Sequence, residues 1–354
     1  MRLICAIIAL LCLEVLPVLA EEQSPFATPP AEKPQRVRVL AFADYLDTQT
    51  FAEFEDTTGY QIAYDSYESP DAIPSKLREG PYDLLIIPGP EVAREIAVGG
   101  LQKFNKAKAP NSSKVSPELA AKFSAYDKSG SYALPYGWVA TGLVYDADAS
   151  PFRSGGPPVS WAALFSSDQT RKLADCAIVA PDARDDLFVA AWRYLGVDPV
   201  RVTPADVRRA GDLLAHAKMG ILMFGAPDLP SALTNGSACL GFGSERDASL
   251  AMARAAASGG PRNVRFALPR EGGPMSVDAI AIPADAPNLS QSYALANFLL
   301  RSDIGARNAA AANVVSGDAT GNDDTLKRLW PVGALTPALT ALVDKEWARL
   351  RTTR

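Results

Sequence analysis

Short β-forming runs alternate with helical patterns along most of this chain, and this alternation constrains its fold more than any other feature. Strands that alternate with helices pack as parallel βα units, with helices on both faces of a sheet. In the second half of the chain the pattern returns with a different set of strands. The strand candidates lie at residues 37–42, 60–64, 83–87, 143–145, 177–179, 239–242, 264–269 and 277–282. We therefore predict an α/β protein with two doubly wound lobes, in which ligands bind beyond the carboxyl ends of the strands.

The composition argues against several classes of function. The 354 residues carry 35 Lys and Arg against 40 Asp and Glu, so a net charge of -5 provides no broad basic surface for nucleic acid. The single histidine, His216, lies in a helical pattern with no metal-ligating neighbour at suitable spacing. Ser-His or Cys-His catalysis needs a well-placed imidazole, and the Gly-x-Ser-x-Gly elbow of a secreted hydrolase, the remote alternative, is missing. We expect no enzymatic activity, no metal and no other cofactor.

The N-terminal segment has the layout of a secretory signal. A basic residue precedes an apolar run that ends at Ala20, a small residue suited to cleavage, and two glutamates follow. Glu14 and Pro17 interrupt the run, which falls short of the roughly 20 apolar residues of a membrane-spanning helix. We predict a signal peptide over residues 1–20, a flexible Pro- and Glu-rich tether over 21–35, and export to the periplasm.

Cleavage of this signal removes two of the four cysteines and leaves Cys176 and Cys239 in an oxidising compartment. Cys176 directly precedes the strand candidate at residues 177–179 and Cys239 begins the one at residues 239–242, and neighbouring parallel strands could bring the two sulfurs together. One disulfide would close a long loop, for which the chain-entropy model gives a stabilisation of roughly 4 to 5 kcal/mol. The alternative is a pair of buried free thiols.

Strings of residues in collinear order resemble the periplasmic polyamine-binding proteins of ABC transporters, the putrescine and spermidine receptors. They cover nearly all of the chain after the predicted signal and include residues 37–45, 54–65, 134–142, 194–199 and 277–286. The resemblance implies a bacterial extracellular solute-binding protein of family 1 with a type II periplasmic-binding fold, whose hinged lobes close around a small ligand. It also implies delivery of this ligand to an ABC permease and its ATPase, a monomeric receptor, and a disulfide at positions matching Cys176 and Cys239.

The resemblance further implies where the chain crosses between the lobes. The crossings fall near residues 138–142 and 262–264, so that the first lobe takes back a late segment and the C-terminal helices lie on the second lobe. The implied domains are residues 36–139 plus 264–320 for the first lobe and residues 140–263 plus 321–354 for the second.

A polyamine is a row of ammonium groups joined by methylenes, so its receptor needs carboxylates for the charges and aromatic faces for the alkyl chain. By position, the resemblance assigns the cation partners to Asp44, Asp186, Glu245 and Asp278 and the alkyl-chain walls to Phe42 and Phe242. Further ligand-binding candidates at matching positions are Ala43, Tyr45, Tyr67, Glu68, Glu91 and Ser276.

The predicted acids also have simpler explanations. Asp44 follows the first strand and could cap the next helix. Asp278 lies inside an apolar strand, where an unpaired carboxylate would cost several kcal/mol, so its partner is either a ligand cation or a structural Lys or Arg. Asp186 and Glu245 could be solvated charges in a first helical turn.

The aromatic residues depart most from the family pattern. Phe42 and Phe242 replace tryptophans, Ser276 replaces a phenylalanine, Val314 falls near a family tyrosine, and Glu91 replaces an aromatic residue. Cation-π contacts are each worth about 1 to 2 kcal/mol when desolvated, so the loss of two would weaken putrescine binding about tenfold or more. The same fold binding another cationic metabolite, such as a basic amino acid or a guanidino compound, is therefore an alternative. A receptor used for sensing instead of transport is another.

Overall fold

The computed structural model describes residues 35–173, 177–219, 223–225, 228–260, 262–318 and 323–352. The predicted signal peptide, the tether up to residue 34 and Cys176 lie outside the described residues. The strands are β1 (Arg36–Phe42), β2 (Gln61–Tyr67), β3 (Leu84–Pro88), β4 (Ala133–Asp146), β5 (Ile178–Ala180), β6 (Met223–Phe224), β7 (Leu240–Ser244), β8 (Val264–Ala267), β9 (Gly273–Ala281), β10 (Val315–Ser316) and β11 (Leu329–Pro331).

Helices separate most of these strands. The α-helices are α1 (Thr48–Thr58), α2 (Ile73–Arg78), α3 (Gly89–Ala97), α4 (Pro117–Phe123), α5 (Ser150–Gly155), α6 (Ala162–Phe165), α7 (Ser167–Arg171), α8 (Arg184–Tyr194), α9 (Pro204–Lys218), α10 (Leu229–Thr234), α11 (Glu245–Ala257), α12 (Leu289–Leu299), α13 (Ser302–Ala312), α14 (Asp323–Lys327) and α15 (Pro337–Thr352). Short 3-10 turns cover Pro70–Ala72, Lys106–Lys108, Pro110–Lys114 and Pro199–Arg201.

The strands form one mixed sheet in the order β2-β1-β3-β9-β4-β7-β5-β6, with β8 and β10 paired to β4 and β11 paired to β9. β1 is parallel to β2 and β3, and β5 is parallel to β6 and β7. The centre is antiparallel, because β9 returns between β3 and β4, and β4 runs against β7. The predicted α/β class is confirmed, with parallel pairing towards both ends of the sheet and antiparallel pairing in its centre.

The long strand β4 joins the two halves of this sheet. Its residues 133–140 pair with β9, whereas residues 141–145 pair with β7 and residues 143–146 with β8. One strand of 14 residues therefore carries the chain from the first half into the second. The side chains in its middle therefore lie between the two halves.

Side chains are buried on both faces of the sheet, which explains the near-continuous apolar runs in the sequence. In β3, Leu84 and Ile86 join a core cluster on one face, while Leu85 and Ile87 join a second cluster on the other. Successive residues of a strand point to opposite faces, so an apolar run without alternation is what a strand covered on both faces requires.

Helix α8 shows how the helical patterns translate into packing. Leu187, Phe188 and Trp192 are buried against the second half of the sheet, as their spacing predicts. The helix ends before Gly196, whose φ of 72° lies in the left-handed region that terminates helices. The C-terminal helix α15 packs on α9 and contributes Trp347 to the same core.

Two strand pairings bear on the position of the lobe boundaries. β8 pairs with residues 143–146 of β4, in the second half of the sheet. β11 pairs with β9, and α14 contacts α4, both in the first half. Within the described ranges, no helix is both long and apolar enough to cross a membrane.

Candidate functional site

A cleft of about 630 Å³ opens beside the middle of β4, and we call it the central cleft. It is walled by residues 138–140 of β4, the start of α11, the turn after α13, and α14 with the residue that follows it. Its charged and polar lining side chains are Glu245, Arg246, Ser249, Asn313, Thr325 and Arg328, and its apolar ones include Trp138, Phe266 and Val314. The cleft therefore lies where β4 passes from one half of the sheet to the other.

Asp278 lies close to this cleft, in the middle of β9. Its neighbours across the sheet are Pro88 of β3 and Gly137 of β4. The carboxylate is half-buried, and burial raises its pKa to about 6, although the Tyr45 hydroxyl and the charge of Arg246 partly oppose this rise. Within the part of the chain that the structure describes, no Lys or Arg forms an ion pair with Asp278. Burial thus destabilises the negative charge of Asp278, and a nearby cation would stabilise it.

Tyr45 presents its hydroxyl to Asp278 from the turn after β1. The side chain is 3% exposed, and its oxygen is a buried polar atom without a well-formed hydrogen bond to any described residue. Burial, followed by the charge of Asp278, raises the pKa of Tyr45 well above its ordinary value. The phenol therefore stays protonated and can donate to an anion beside it.

The backbone of this turn explains why Tyr45 points inward and Asp44 outward. The Tyr45 N–H donates to the Tyr64 hydroxyl over 3.2 Å, and the Ala43 N–H donates to the Tyr67 carbonyl over 3.1 Å. Asp44 adopts a φ of 57°, a left-handed conformation that Asp tolerates better than most residues, and its side chain is exposed. Asp47, and not Asp44, caps α1, because its side chain accepts from the Gln49 N–H. The capping explanation for Asp44 is therefore wrong.

Asp186 reaches the same part of β4 from the first turn of α8. Its carboxylate accepts a hydrogen bond of 2.8 Å from the Thr141 hydroxyl. Burial raises the pKa of Asp186 to about 6, and the Thr141 bond partly offsets this rise. Thr141 pairs across the sheet with Ser244, the residue that precedes α11, so the starts of α8 and α11 both lie beside β4.

Glu245 lines the central cleft at the first position of α11. Ser244 and Asp247 form a capping box, in which each side chain accepts from the backbone N–H of the other. Glu245 itself is exposed and has an acid's favoured position in the first helical turn. The capping pair fixes the start of the helix and leaves the Glu245 carboxylate free to face the cleft.

Arg246, the next residue, is a member of the site that sequence reasoning missed. Its guanidinium carbon lies 5.3 Å from the centre of the Phe42 ring, so a cation from α11 covers the half-buried aromatic residue at the end of β1. An arginine in a first helical turn has no sequence signal that would distinguish it from a solvated surface charge. The position of Arg246 over Phe42 is evident only in the folded protein, where α11 lies close to the end of β1.

Two other predicted ligand-binding residues, Phe242 and Glu91, do not line the central cleft. Phe242 is fully buried and packs on Trp161 at 5.4 Å between ring centres, so it belongs to the core and does not line the central cleft. The Glu91 side chain is 7% exposed and pairs with Arg94 at 2.6 Å, so a cation from its own helix occupies it. An apolar strand end buries Phe242, and helical spacing places Arg94 beside Glu91.

The remaining candidates are Tyr67, Glu68 and Ser276, which lie in or directly after strands β2 and β9. Tyr67 is 2% exposed, donates its hydroxyl to the Ile86 carbonyl over 3.1 Å and contacts Phe42 edge-to-face at 5.7 Å. Glu68 is exposed, and Ser276 is half-buried two residues from Asp278 on the same face of β9. Tyr67 thus holds the Phe42 ring in place. Among the described residues, no group of three His, Cys, Asp or Glu is arranged to hold a metal ion.

One of the two predicted disulfide cysteines can be placed. Cys239 is buried beside β5, and its N–H donates to the carbonyl of Ala177 over 3.2 Å. Ala177 directly follows Cys176, which is outside the described residues. The chain next to Cys176 therefore lies alongside Cys239.

Comparisons with known proteins agree with this fold. The putrescine-binding periplasmic protein PotF of Escherichia coli is 28% identical over 343 residues, which cover 91% of this chain and 92% of PotF. The spermidine/putrescine-binding periplasmic protein of Escherichia coli is 30% identical over 266 residues, covering 74% of this chain and 72% of the relative. The crystal structure of the spermidine/putrescine ABC transporter substrate-binding protein PotD from Streptococcus pneumoniae superposes with a TM-score of 0.77 at 18% identity, covering 90% of this chain and 99% of PotD.

These matches confirm the predicted class of fold, the two-lobed type II architecture of periplasmic binding proteins. The family model for bacterial extracellular solute-binding proteins matches residues 49–326. Its members bind solutes and are not enzymes. This chain belongs to the bacterial extracellular solute-binding protein family.

Proposed function

We propose that this chain captures a small organic amine of the polyamine class outside the cytoplasm and delivers it to an ABC permease with its ATPase. The observation that carries the proposal is Asp278, a half-buried carboxylate with its pKa raised to about 6 and no ion-pair partner among the described residues. Phe42 and Tyr45 belong to the same turn region, and Asp186 offers a second carboxylate with a raised pKa. Relatives named for putrescine and spermidine binding support this class of ligand.

The side chains of the proposed site have separate roles in binding an amine. A bound ammonium group would neutralise Asp278 and relieve the unfavourable burial of its negative charge. The Phe42 ring would provide a flat apolar surface for the adjoining methylenes and attract the cation through its π face. Glu245 at the cleft rim would meet a further ammonium group of a longer amine. No bond is made or broken in this process.

We also propose a division into two lobes that follows the strand pairing. The crossings lie in β4 between Ala140 and Thr141 and in the segment between β8 and β9, so β8 accompanies the second lobe and β11 the first. The central cleft lies at this division. Closure around an amine predicts a smaller radius of gyration by small-angle X-ray scattering when putrescine is added.

Export through the N-terminal segment completes the proposal. Cleavage after Ala20 would release a monomer into the periplasm, with residues 21–35 as a tether. Cell fractionation and the intact mass of the exported protein test this directly. A protein found in the cytoplasm with residues 1–20 still attached would contradict it.

Titration calorimetry on the purified exported chain tests the ligand class. We expect heat of binding with at least one of putrescine, cadaverine, spermidine and spermine, and mass spectrometry of the protein as purified should reveal the amine that it carries. Arginine and lysine serve as comparison ligands, because they bear a carboxylate that the polyamines lack. If none of the four amines binds, the proposal is wrong even though the family assignment stands.

A further inference from the structure

Arg246 is in an unusual position for a charged residue of a cation-binding protein. It is the second residue of α11, and the Ser244–Asp247 capping box fixes the start of that helix. Its side chain lines the central cleft and is half-buried. A positive charge is therefore built into the wall of a cleft that we propose takes up positive ligands.

The guanidinium lies over one proposed ligand contact, and its charge reaches the other. Its central carbon lies 5.3 Å from the centre of the Phe42 ring, within the range of a cation-π contact. Its charge also acts favourably on Asp278, the acid that we propose binds an ammonium group. Arg246 thus makes with Phe42 the contact that the ammonium end of an amine would make, and its charge acts on Asp278 in the same direction as that of an ammonium group.

Neither contact ties Arg246 firmly in place. Within the described parts of the chain, no carboxylate forms an ion pair with Arg246 and no acceptor takes a hydrogen bond from it, whereas Arg254 on the same helix pairs with Asp228 at 3.0 Å. An arginine side chain has four rotatable bonds, so the guanidinium can leave the Phe42 ring while the α11 backbone stays where it is.

We propose that Arg246 is an internal competitor of the ligand, which occupies the ammonium position beside Phe42 and Asp278 in the ligand-free protein and is displaced when an amine binds. This proposal rests on the proposed function, because it concerns the same site. One cation replaces another beside the Phe42 ring. The exchange makes Arg246 a determinant of specificity, since a ligand must bind better than a guanidinium that is already present.

Displacement lowers the apparent affinity of the cleft. The measured Kd equals the intrinsic Kd divided by the fraction of protein in which the position is free. The cation-π contact and the charge of Arg246 both oppose ligand entry, so their removal should strengthen the binding of putrescine about five- to tenfold. A weakly binding ligand with a single amine should gain in the same way.

The experiment compares four proteins, the wild type and three variants, by titration calorimetry with putrescine and with spermidine. Arg246→Met keeps the length of the side chain and removes its charge, and Arg246→Gln removes the charge with a polar end. Arg328→Met removes the same charge from the same cleft at a position away from Phe42, so it measures the gain from charge removal alone. Thermal melting of each variant verifies folding.

We expect a Kd that is about five- to tenfold lower in Arg246→Met and Arg246→Gln than in the wild type, and a clearly smaller change in Arg328→Met. In ¹⁵N-labelled wild-type protein, the Arg246 Nε–H resonance, identified by its absence from the Arg246 variants, should shift on saturation with putrescine as the ring current of Phe42 is lost.

Other results would overturn the proposal in distinguishable ways. A weaker affinity in both Arg246 variants would mean that Arg246 holds the ligand, and equal gains in the Arg246 and Arg328 variants would mean that only net charge matters. Either result leaves the proposed function intact. Absence of binding to any amine in all of the proteins would overturn the proposed function and the competitor role together.

Discussion

Asp278 shows how a residue that we propose for binding can oppose the stability of the fold that carries it. Its carboxylate is half-buried in the middle of β9, and burial raises its pKa from 3.8 to about 6. Between these two pH values the folded protein holds the proton more tightly than the unfolded chain does. Stability therefore decreases as the pH rises through this range, and the whole deficit is present at neutral pH. A bound amine would remove it.

Replacement of Asp278 by asparagine should separate stability from binding. Asp278→Asn keeps the shape and removes the charge, so we expect a higher melting temperature without ligand, by the equivalent of about 1 kcal/mol once partial exposure is allowed for. Putrescine binding should weaken by about 2 kcal/mol or more, roughly thirtyfold. Asp285→Asn, at an exposed acid outside the cleft, is the control. A variant that is less stable and still binds would contradict both expectations.

Amine affinity should depend on pH in a range set by the protein. The pKa values of Asp278 and Asp186 are both raised to about 6, whereas alkyl ammonium groups stay protonated well above neutral pH. Affinity should therefore be constant above about pH 7 and fall as the pH drops through 6, because protonated acids lose their attraction for the ligand. Calorimetry from pH 5 to 8 measures this dependence. Below pH 6, the slope of log Kd against pH gives the number of protons linked to binding, and this number should be smaller by about one in Asp278→Asn. A Kd that does not change with pH would show that neither Asp278 nor Asp186 binds the amine.

The contact between β4 and β9 positions these side chains, and one glycine allows the close approach. Gly137 of β4 pairs with Asp278 of β9, and a Cβ atom at Gly137 would lie 2.5 Å from the Tyr45 hydroxyl and 3.0 Å from a methyl carbon of Val314. A small residue is therefore required at this point of the strand pair. Tyr45 can face Asp278 only because β4 leaves the space beside it.

Gly137→Ala should disturb the site through this contact. The new methyl group would push the Tyr45 ring away from Asp278, and we expect a stability loss of about 1 to 3 kcal/mol together with weaker putrescine binding. Gly155→Ala, where nothing lies within 4 Å of the added carbon, is the matched control and should leave the Kd unchanged with no loss of stability. Denaturant unfolding and calorimetry report the two effects, and an unchanged Kd would show that the position of Tyr45 does not matter for binding.

The molecule as a whole should depend on a disulfide in its second half. Ala177, which follows Cys176 in the sequence, accepts a hydrogen bond from the Cys239 N–H. We predict that the denatured exported protein contains no reactive thiol until it is reduced. Reduction should then lower its stability by about 4 kcal/mol. Two reactive thiols in the unreduced protein would contradict the bridge, and an unchanged melting temperature would contradict its energetic role.

Much of the fold follows from local patterns, and the prediction of elements was accurate for that reason. The strand predicted over residues 37–42 is β1, Arg36–Phe42, and the strand predicted over residues 83–87 is β3, Leu84–Pro88. The short strands β6, β10 and β11 were missed, because two or three residues are too few to show a period. The antiparallel centre was missed as well, since pairing direction depends on how distant segments return.

The site was only partly predictable from the sequence. Asp278 stood out because a carboxylate inside an apolar run requires a partner, and this argument needs no knowledge of distant residues. Phe242 and Glu91 resembled ligand contacts by position, yet packing on Trp161 and pairing with Arg94 occupy them. The environment of a side chain depends on which elements dock against it.

The sequence alone determined the α/β class, most of the longer strands and helices, and the presence of an acid inside the apolar strand β9, because periodicity and the penalty for burying a charge are local properties. Only the tertiary structure decided that Arg246 covers Phe42 and that Tyr45 faces Asp278. Those contacts join α11 to β1, and the turn after β1 to β9, across more than 200 residues of chain in each case. Proximity of that kind arises from the docking of whole elements, and no local pattern encodes it.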